Sequence, residues 1–249
     1  MIIDFHVHGK ITSNYPFDEE KFLLTVNEAK KNGLSSIALT EHCGAYQFIS
    51  GYEFLNKNYN CIGDYYNVNG IKVFYGMEVT TKQDLDILII GNSRLVLELR
   101  EKIMKLITKG EYIDISDLFN LDISRELLII LAHPYRDHDV LPNIDKDIIN
   151  KIDAIELNSK DLYKFGFNSM KNKISKLSNE LNLPIIAGSD THYFVQVSTA
   201  KNLFMKNCNN VREIKEEIKL GNYKMDFSSD LNDRVREAIN FKKGICDKY

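Results

Sequence analysis

Apolar runs of strand length alternate with stretches of helical periodicity along the chain. Residues 2–7, 35–39, 71–75, 86–90, 127–132, 154–157 and 184–187 are apolar at most positions, as strands buried on both faces should be. Between and after them the spacing predicts helices over 18–32, 94–106, 145–151, 167–181, 211–220 and 235–241. In the first of these, Phe22, Leu23, Val26 and Ala29 recur at helical spacing, acids fill the first turn and Gly33 closes the helix. Gly221 ends the helix over 211–220 in the same way. Residues 46–66 and 107–124 carry no clear period and are expected to be loops or small insertions. Strand–helix alternation of this kind predicts parallel strands covered by helices, an α/β architecture. No Pro- or Gly-rich linker interrupts the pattern, so residues 1–249 are expected to form one domain.

Composition narrows the partners more than the fold. At 44% hydrophobic the 249 residues can bury a full core, and a net charge of −3 gives no sign of a nucleic-acid surface. The longest apolar runs are too short to span a bilayer, so no membrane partner is expected. The start of the chain has neither a basic segment nor a long apolar stretch, and Cys43, Cys61, Cys208 and Cys246 form no close pair and no zinc-finger spacing. Both features point to a cytoplasmic location with reduced thiols. Cys43, next to His42, reads as a small buried thiol.

The chemistry lies at the strand ends. His42, Glu78, His133, Glu156 and Asp190 each follow a predicted strand, where barrel folds place their active sites. His6 and His8 lie two apart on the first strand, so both imidazoles face one side and can chelate one ion. Asp4 shares that face and is positioned to orient an imidazole. Glu78 has two oxygens and can bridge two metals, which an imidazole cannot. Asp190 and His192 lie in Gly-Ser-Asp-Thr-His, where Gly188 permits close backbone approach. Imidazoles and carboxylates delivered by separate strands are the donor set of a divalent metal cluster. Among nearby cations, Arg136 is the candidate for clamping a phosphate and for catalysis alongside Glu78 and Asp190. Lys10, Lys82 and His138 also lie close to these motifs, with Lys10 and His138 as further substrate-binding candidates. Glu156 and Asn158 are candidates for supporting a ligand histidine or positioning water.

With these residues in place, the chain resembles the PHP (polymerase and histidinol phosphatase) family of metal-dependent phosphoesterases. The resemblance rests on D-x-H-x-H at residues 4–8, T-E-H at 40–42, G-x-E at 76–78, H-P at 133–134, E-x-N at 156–158 and G-S-D-x-H at 188–192. It implies a distorted seven-stranded (β/α) barrel with two or three divalent ions, commonly zinc, manganese or iron. Carried over position by position, it implies His6, His8, Glu78 and Asp190 around a first ion. Glu78 bridges to a second held by His133, and His42 and His192 hold a third. Relatives often carry a histidine on the strand after the glutamate motif, where Asp86 is the candidate here; beyond His8 this chain has Ser13 and Asn14 where relatives often complete the third site.

The implied function is hydrolysis of a phosphate ester by a metal-activated water. The expected substrate is a small phosphomonoester such as histidinol phosphate, a nucleotide, or nucleic acid only as a short oligonucleotide. The alternative is a non-catalytic metal-binding module with a partly degenerate site, suggested by Asp86, Ser13 and Asn14. An amidohydrolase-like C–N hydrolase is disfavoured, because no strand offers a carboxylated lysine and the G-S-D-x-H ending fits the phosphoesterase pattern better.

Overall fold

A computed structural model of the protein describes residues 1–108, 110–139 and 141–246. The first half runs β1 (Ile2–Val7), α1 (Glu19–Lys31), β2 (Ser36–His42), α2 (Phe48–Asn58), β3 (Cys61–Ile62), β4 (Tyr65–Val68), β5 (Ile71–Thr80), β6 (Asp86–Gly91), α3 (Ser93–Leu106) and α4 (Ile115–Asn120). The second half runs β7 (Leu128–Ala132), α5 (Lys146–Ile149), β8 (Ala154–Asn158), α6 (Ser159–Phe165), α7 (Phe167–Leu181) and β9 (Ile185–Gly188). A 3₁₀ turn at Phe194–Gln196 leads into β10 (Ala200–Phe204), α8 (Val211–Leu220), β11 (Tyr223–Phe227) and α9 (Leu231–Cys246).

All strands join one sheet in the order β11-β10-β1-β2-β5-β6-β7-β8-β9, with the short β3–β4 hairpin attached to β5. The seven strands from β1 to β9 along this path curl into a nearly closed barrel. Its seam lies between β1 and the segment after β9. There Val7 bridges Thr191 in parallel, His8 N–H donates to Thr191 O at 2.8 Å, and Thr191 N–H donates to His6 O at 3.1 Å. Nearer the start of β1, where β10 pairs antiparallel with it, a side chain completes the seam. The buried Asn202 amide donates to Ala187 O at 2.7 Å and Ile3 O at 3.3 Å and accepts from Ala187 N–H at 2.8 Å.

The expected α/β barrel is therefore present, with four added strands, but its strands are not all parallel. β6 runs antiparallel to both β5 and β7. Only five residues, 81–85, connect β5 to β6, too few for the crossover that a parallel pair requires. The reversal brings the first residue of β6, Asp86, opposite Thr80 and Ala132, at the same barrel end as the last residues of the other strands.

The apolar runs have two distinct faces. Ile37, Leu39, Val73, Tyr75, Ile87, Ile89, Ile129 and Leu131 pack under the helices with Phe22, Val26, Leu55, Val96 and Leu99. Ile3, Phe5, Ala38, Phe74, Leu88, Ile90, Ile130, Ala154 and Ile186 fill the interior, reached by Val211, Ile214 and Ile218 of α8. Along three strands the interior positions then turn polar: Ala38, Thr40, His42 on β2; Phe74, Gly76, Glu78 on β5; Ala154, Glu156, Asn158 on β8. An apolar barrel floor thus carries a polar layer at one end.

Several elements differ from expectation. Residues 46–66 contain α2, β3 and the first two residues of β4, and 107–124 contain α4. α6, β10 and β11 were not expected, and the final helix is longer than 235–241. Among the described residues no helix is long and apolar enough to cross a membrane. Cys43, Cys61 and Cys208 are free, while the side chain of Cys246 lies outside the described residues.

Candidate metal centre

β1 delivers His6 and His8 to the same place, their Nε2 atoms 3.1 Å apart. It does so through an irregularity: the register against β2 shifts between Asp4 and Val7, so simple alternation does not hold. Asp4 consequently does not orient an imidazole. Its carboxylate accepts backbone N–H bonds from His6, Ser189 and Ser198 at 3.0–3.2 Å and braces the seam instead. Burial pushes its pKa up to about 6, against the pull of those bonds. The acceptor for His6 is Glu156, whose Oε1 lies 2.9 Å from His6 Nδ1 and whose Oε2 takes the His133 N–H at 3.0 Å.

Glu78 is the point of convergence. Its Oε1 lies 2.9 Å from His133 Nε2 and 3.5 Å from His6 Nε2. Its Oε2 lies 3.0 Å from His42 Nδ1 and 3.4 Å from His8 Nε2. Asp190 is split in a similar way. Its Oδ1 faces His8 Nε2 at 3.3 Å, His192 Nδ1 at 3.1 Å and His6 Nε2 at 3.8 Å. Its Oδ2 is held by Arg136 at 2.6 Å and Lys160 at 3.0 Å. Asp86 lies 3.7 Å from His133 Nδ1.

Two ligand candidates sit on unusual backbone. His133 has φ of 26° and Asp190 φ of 53°, conformations that branched or bulky residues avoid and that persist where the surroundings over-determine them. Gly188 serves close approach: a Cβ there would lie 2.0 Å from Glu156 Oε1 and 3.0 Å from His6 Cβ.

The electrostatics show what the cluster is built to hold. Glu41, Glu78, Asp86 and Glu156 are buried or nearly so, and their ion-pair partners within 4.0 Å among the described residues are all imidazoles. Burial lowers the pKa of His6 and His42, yet the surrounding carboxylates outweigh it, holding His6 well above its ordinary value and His42 at about 9. Burial likewise opposes ionisation of Glu78 and Asp190, but adjacent cations keep both well below the usual carboxylate range. Burial, with Lys160 and His8 beside it, holds His192 well below its ordinary value. Without ions, protons on His6 and His42 offset the charge of Glu78 and Glu156, whose carboxyls these imidazoles hold below their ordinary range against burial. Divalent ions fit this donor set. His6, His8 and Asp190 form one group with ligand atoms within 4.8 Å of one another; Glu78, Asp86 and His133 form a second; His8, His42 and His192 form a third. His6, His133 and Glu156 meet the same distance. The atoms Glu78 Oε2, Asp86 Oδ1 and His8 Nδ1 are buried without a hydrogen-bond partner. The Ser13 carbonyl accepts the Tyr46 N–H at 2.9 Å and a bond from Lys10 Nζ.

The expected substrate cations are occupied elsewhere. Lys10 Nζ donates to the carbonyls of Ser13 and Tyr46. His138 Nε2 faces the carbonyls of Gln83 and Asp84 at 3.0 and 3.2 Å, capping the β5–β6 turn. Arg136 donates from Nε to Asp161 at 3.0 Å and from one terminal nitrogen to Asn158 Oδ1 at 2.9 Å, in addition to its bond to Asp190. Asn158 Oδ1 also caps α6 by accepting Lys160 N–H at 2.9 Å. Lys82 is exposed. Three site residues carried no sequence signal of their own: Glu41, whose Oε1 lies 3.5 Å from His8 Nδ1, Lys160 and Asp161. Glu41 sat inside the T-E-H motif and Lys160 two residues beyond E-x-N, so proximity to a motif was the available clue.

The fold has solved relatives. PsfC from Pseudomonas syringae PB-5123 superposes with a TM-score of 0.78 at 17% identity, covering 98% of each chain. The lesion-specific endonuclease PfuEndoQ from Pyrococcus furiosus gives 0.62 at 21% identity, covering 90% of this chain and 58% of its own. A complex of Endonuclease Q with a 27-mer duplex substrate carrying an abasic lesion gives 0.59 at 21% identity with the same coverage. This chain thus spans little more than half of that endonuclease. No curated protein sequence matches it at a significant level. The PHP domain model, by contrast, matches residues 4–237, from the first strand to the last helix, and the chain belongs to the PHP domain family.

Proposed function

We propose that this protein is a metal-dependent phosphoesterase holding two or three divalent ions, zinc, manganese or iron, at the polar end of its barrel. The observation that carries this reading is Glu78, a buried carboxylate whose two oxygens face different imidazoles: His133 and His6 on one side, His42 and His8 on the other. That is the geometry of a bridging ligand. His6, His8 and Asp190 would hold one ion, Glu78, His133 and Asp86 a second, and His42 with His192 and His8 a third. Asp86 takes the strand position at which relatives often carry histidine. As a hard oxygen donor it favours manganese or iron over zinc.

Divalent ions supply Lewis acidity toward a phosphoryl oxygen and a water acidified enough to attack phosphorus at neutral pH. The chain's own residues prepare for that. Glu156 accepts from His6 Nδ1 and leaves its Nε2 lone pair facing the centre. Glu41 Oε1 faces His8 Nδ1 at 3.5 Å, without the hydrogen bond that Glu156 makes to His6. Arg136 fixes the orientation of Asp190 so that Oδ1 points inward. His42, with 32% of its side chain exposed, marks the side from which substrate enters. The substrate is a small phosphomonoester such as histidinol phosphate, or a nucleotide or short oligonucleotide. The abasic-site duplex bound by Endonuclease Q supports including nucleic-acid phosphodiesters in the search.

The test is metal content of the purified protein together with phosphate release from histidinol phosphate and nucleotides and cleavage of short oligonucleotides to smaller products. Two or three ions per chain, turnover that a chelator abolishes, and loss of turnover in Glu78→Gln are expected. Activity that survives thorough metal removal would overturn the reading. Bound metal with no turnover of any ester would favour the alternative, a metal-binding module without catalysis, for which the replacement at Asp86 is the supporting observation.

A further inference from the structure

We infer that Lys160, and not Arg136, is the cation that receives a phosphoryl oxygen of the substrate, with Arg136 acting behind it to position Asp190. This assignment rests on the phosphoesterase reading.

The two side chains differ in what holds them. Arg136 is pinned at Nε by Asp161 and at a terminal nitrogen by Asn158, neither of which belongs to a candidate metal group. A planar fork fixed at two corners keeps its place whatever happens at the third. It therefore holds Asp190 Oδ2 equally well with and without ions. Lys160 has no such independent anchors. Its Nζ lies 3.0 Å from Asp190 Oδ2 and 3.1 Å from His192 Nδ1, both on candidate ligands. The Arg136 bond at 2.6 Å already neutralises that carboxylate oxygen, so the ammonium is a second cation on an atom that needs one. Its four-carbon stem is flexible and 21% of the side chain reaches solvent. Once Asp190 and His192 serve divalent ions, the Lys160 ammonium stands among like charges and its stable partner is an incoming anion. A phosphoryl oxygen held at the neighbouring ions fits that position. Lys10 and His138 are tied to backbone carbonyls and do not compete for the role.

The experiment uses inorganic phosphate as the probe. Its affinity for the metal-loaded protein is measured by calorimetry, alongside metal content and the KM and kcat of the best ester, for wild type, Lys160→Met, Lys160→Arg and Arg136→Met. Lys160→Met is expected to retain wild-type metal content while phosphate affinity falls on the order of tenfold or more and KM rises with it. Lys160→Arg should recover part of the loss. Arg136→Met should lose metal, because Asp190 is released. Unchanged phosphate affinity in Lys160→Met, or metal loss equal to that of Arg136→Met, overturns the assignment while leaving the phosphoesterase reading intact. A metal-loaded wild type that neither binds phosphate nor releases it from any ester overturns both.

Discussion

Raising the pH should destabilise the metal-free protein, with His42 responsible for a measurable part of the slope. Burial works against its protonation, but Glu78 at 3.0 Å, with Glu41 and Asp190 nearby, lifts its pKa from 6.5 to about 9. A histidine whose folded pKa lies above its unfolded value stabilises the fold fully below the unfolded pKa. That contribution disappears as pH rises through the folded pKa. The window for His42 therefore runs from about pH 6.5 to about pH 9. A shift of about 2.5 units corresponds to a ceiling of about 3.4 kcal/mol. Because 32% of the side chain is exposed, solvent screening reduces this to about 1–2 kcal/mol. Urea unfolding of chelator-treated wild type and His42→Gln at about pH 6, 7.5 and 9.5 measures the difference. The wild type should exceed the variant by that amount at the lowest pH and converge with it at the highest. His192, with its depressed pKa, contributes the opposite slope below about pH 6.5, but it is common to both proteins and cancels. A gap that stays constant or widens as pH rises would refute the reasoning. Manganese or zinc should reverse the trend, since ions and protons compete for the same imidazole lone pairs.

Other consequences follow from single contacts. Glu41→Gln should weaken the ion held by His8 by about 10–100-fold in a chelator competition, and an unchanged affinity would remove Glu41 from the site. Asn202→Leu deletes three hydrogen bonds and strands the Ala187 N–H and C=O. Urea unfolding should register about 2–4 kcal/mol, and a loss below about 1 kcal/mol would mean the seam does not depend on this amide. Gly188→Ala forces Glu156 away from a methyl that would sit 2.0 Å from its Oε1. Metal affinity should drop by about tenfold or more with the circular dichroism spectrum unchanged, whereas retained affinity would show that Glu156 does not hold His6.

The strands were legible because both faces of each are buried, leaving continuous apolar runs, and the candidate ligands were legible because they terminate those runs. Direction was not. Reading the strand after residue 71 as ending at Tyr75 left room for a crossover, whereas it continues to Thr80 and leaves five residues for a hairpin. The register shift in β1 has no residue signature, so Asp4 was placed with the imidazoles. α2 escaped because Gly51, Tyr52, Asn56 and Asn58 dilute its helical signal, although Phe48, Phe54 and Leu55 bury it firmly. β10 and β11 are short and half polar, and pairing makes them strands: β10 against β1, and β11 against β10. The role of Arg136 turned on partners 22 and 25 residues away, Asn158 and Asp161, which no local pattern encodes.

The seam of the barrel would give the proposed metal centre a mechanical role. β2 and β5 are joined through seven paired residues, whereas across the seam the backbone contributes two bonds and side chains, those of Asn202, Asp4 and Ser189, supply the other ties. His6 and His8 lie on one bank of that joint, Asp190 and His192 on the other. An ion shared by His6, His8 and Asp190, as proposed, would therefore also be a rivet across the ring. Its binding energy is delivered where the backbone ties are few, so loading should suppress local opening there by as much as it raises global stability, while openings elsewhere that keep the ion are unaffected. Slowed amide exchange at His8 and Thr191 would report the closing of the ring, and release of the ion would be the step that unfastens it.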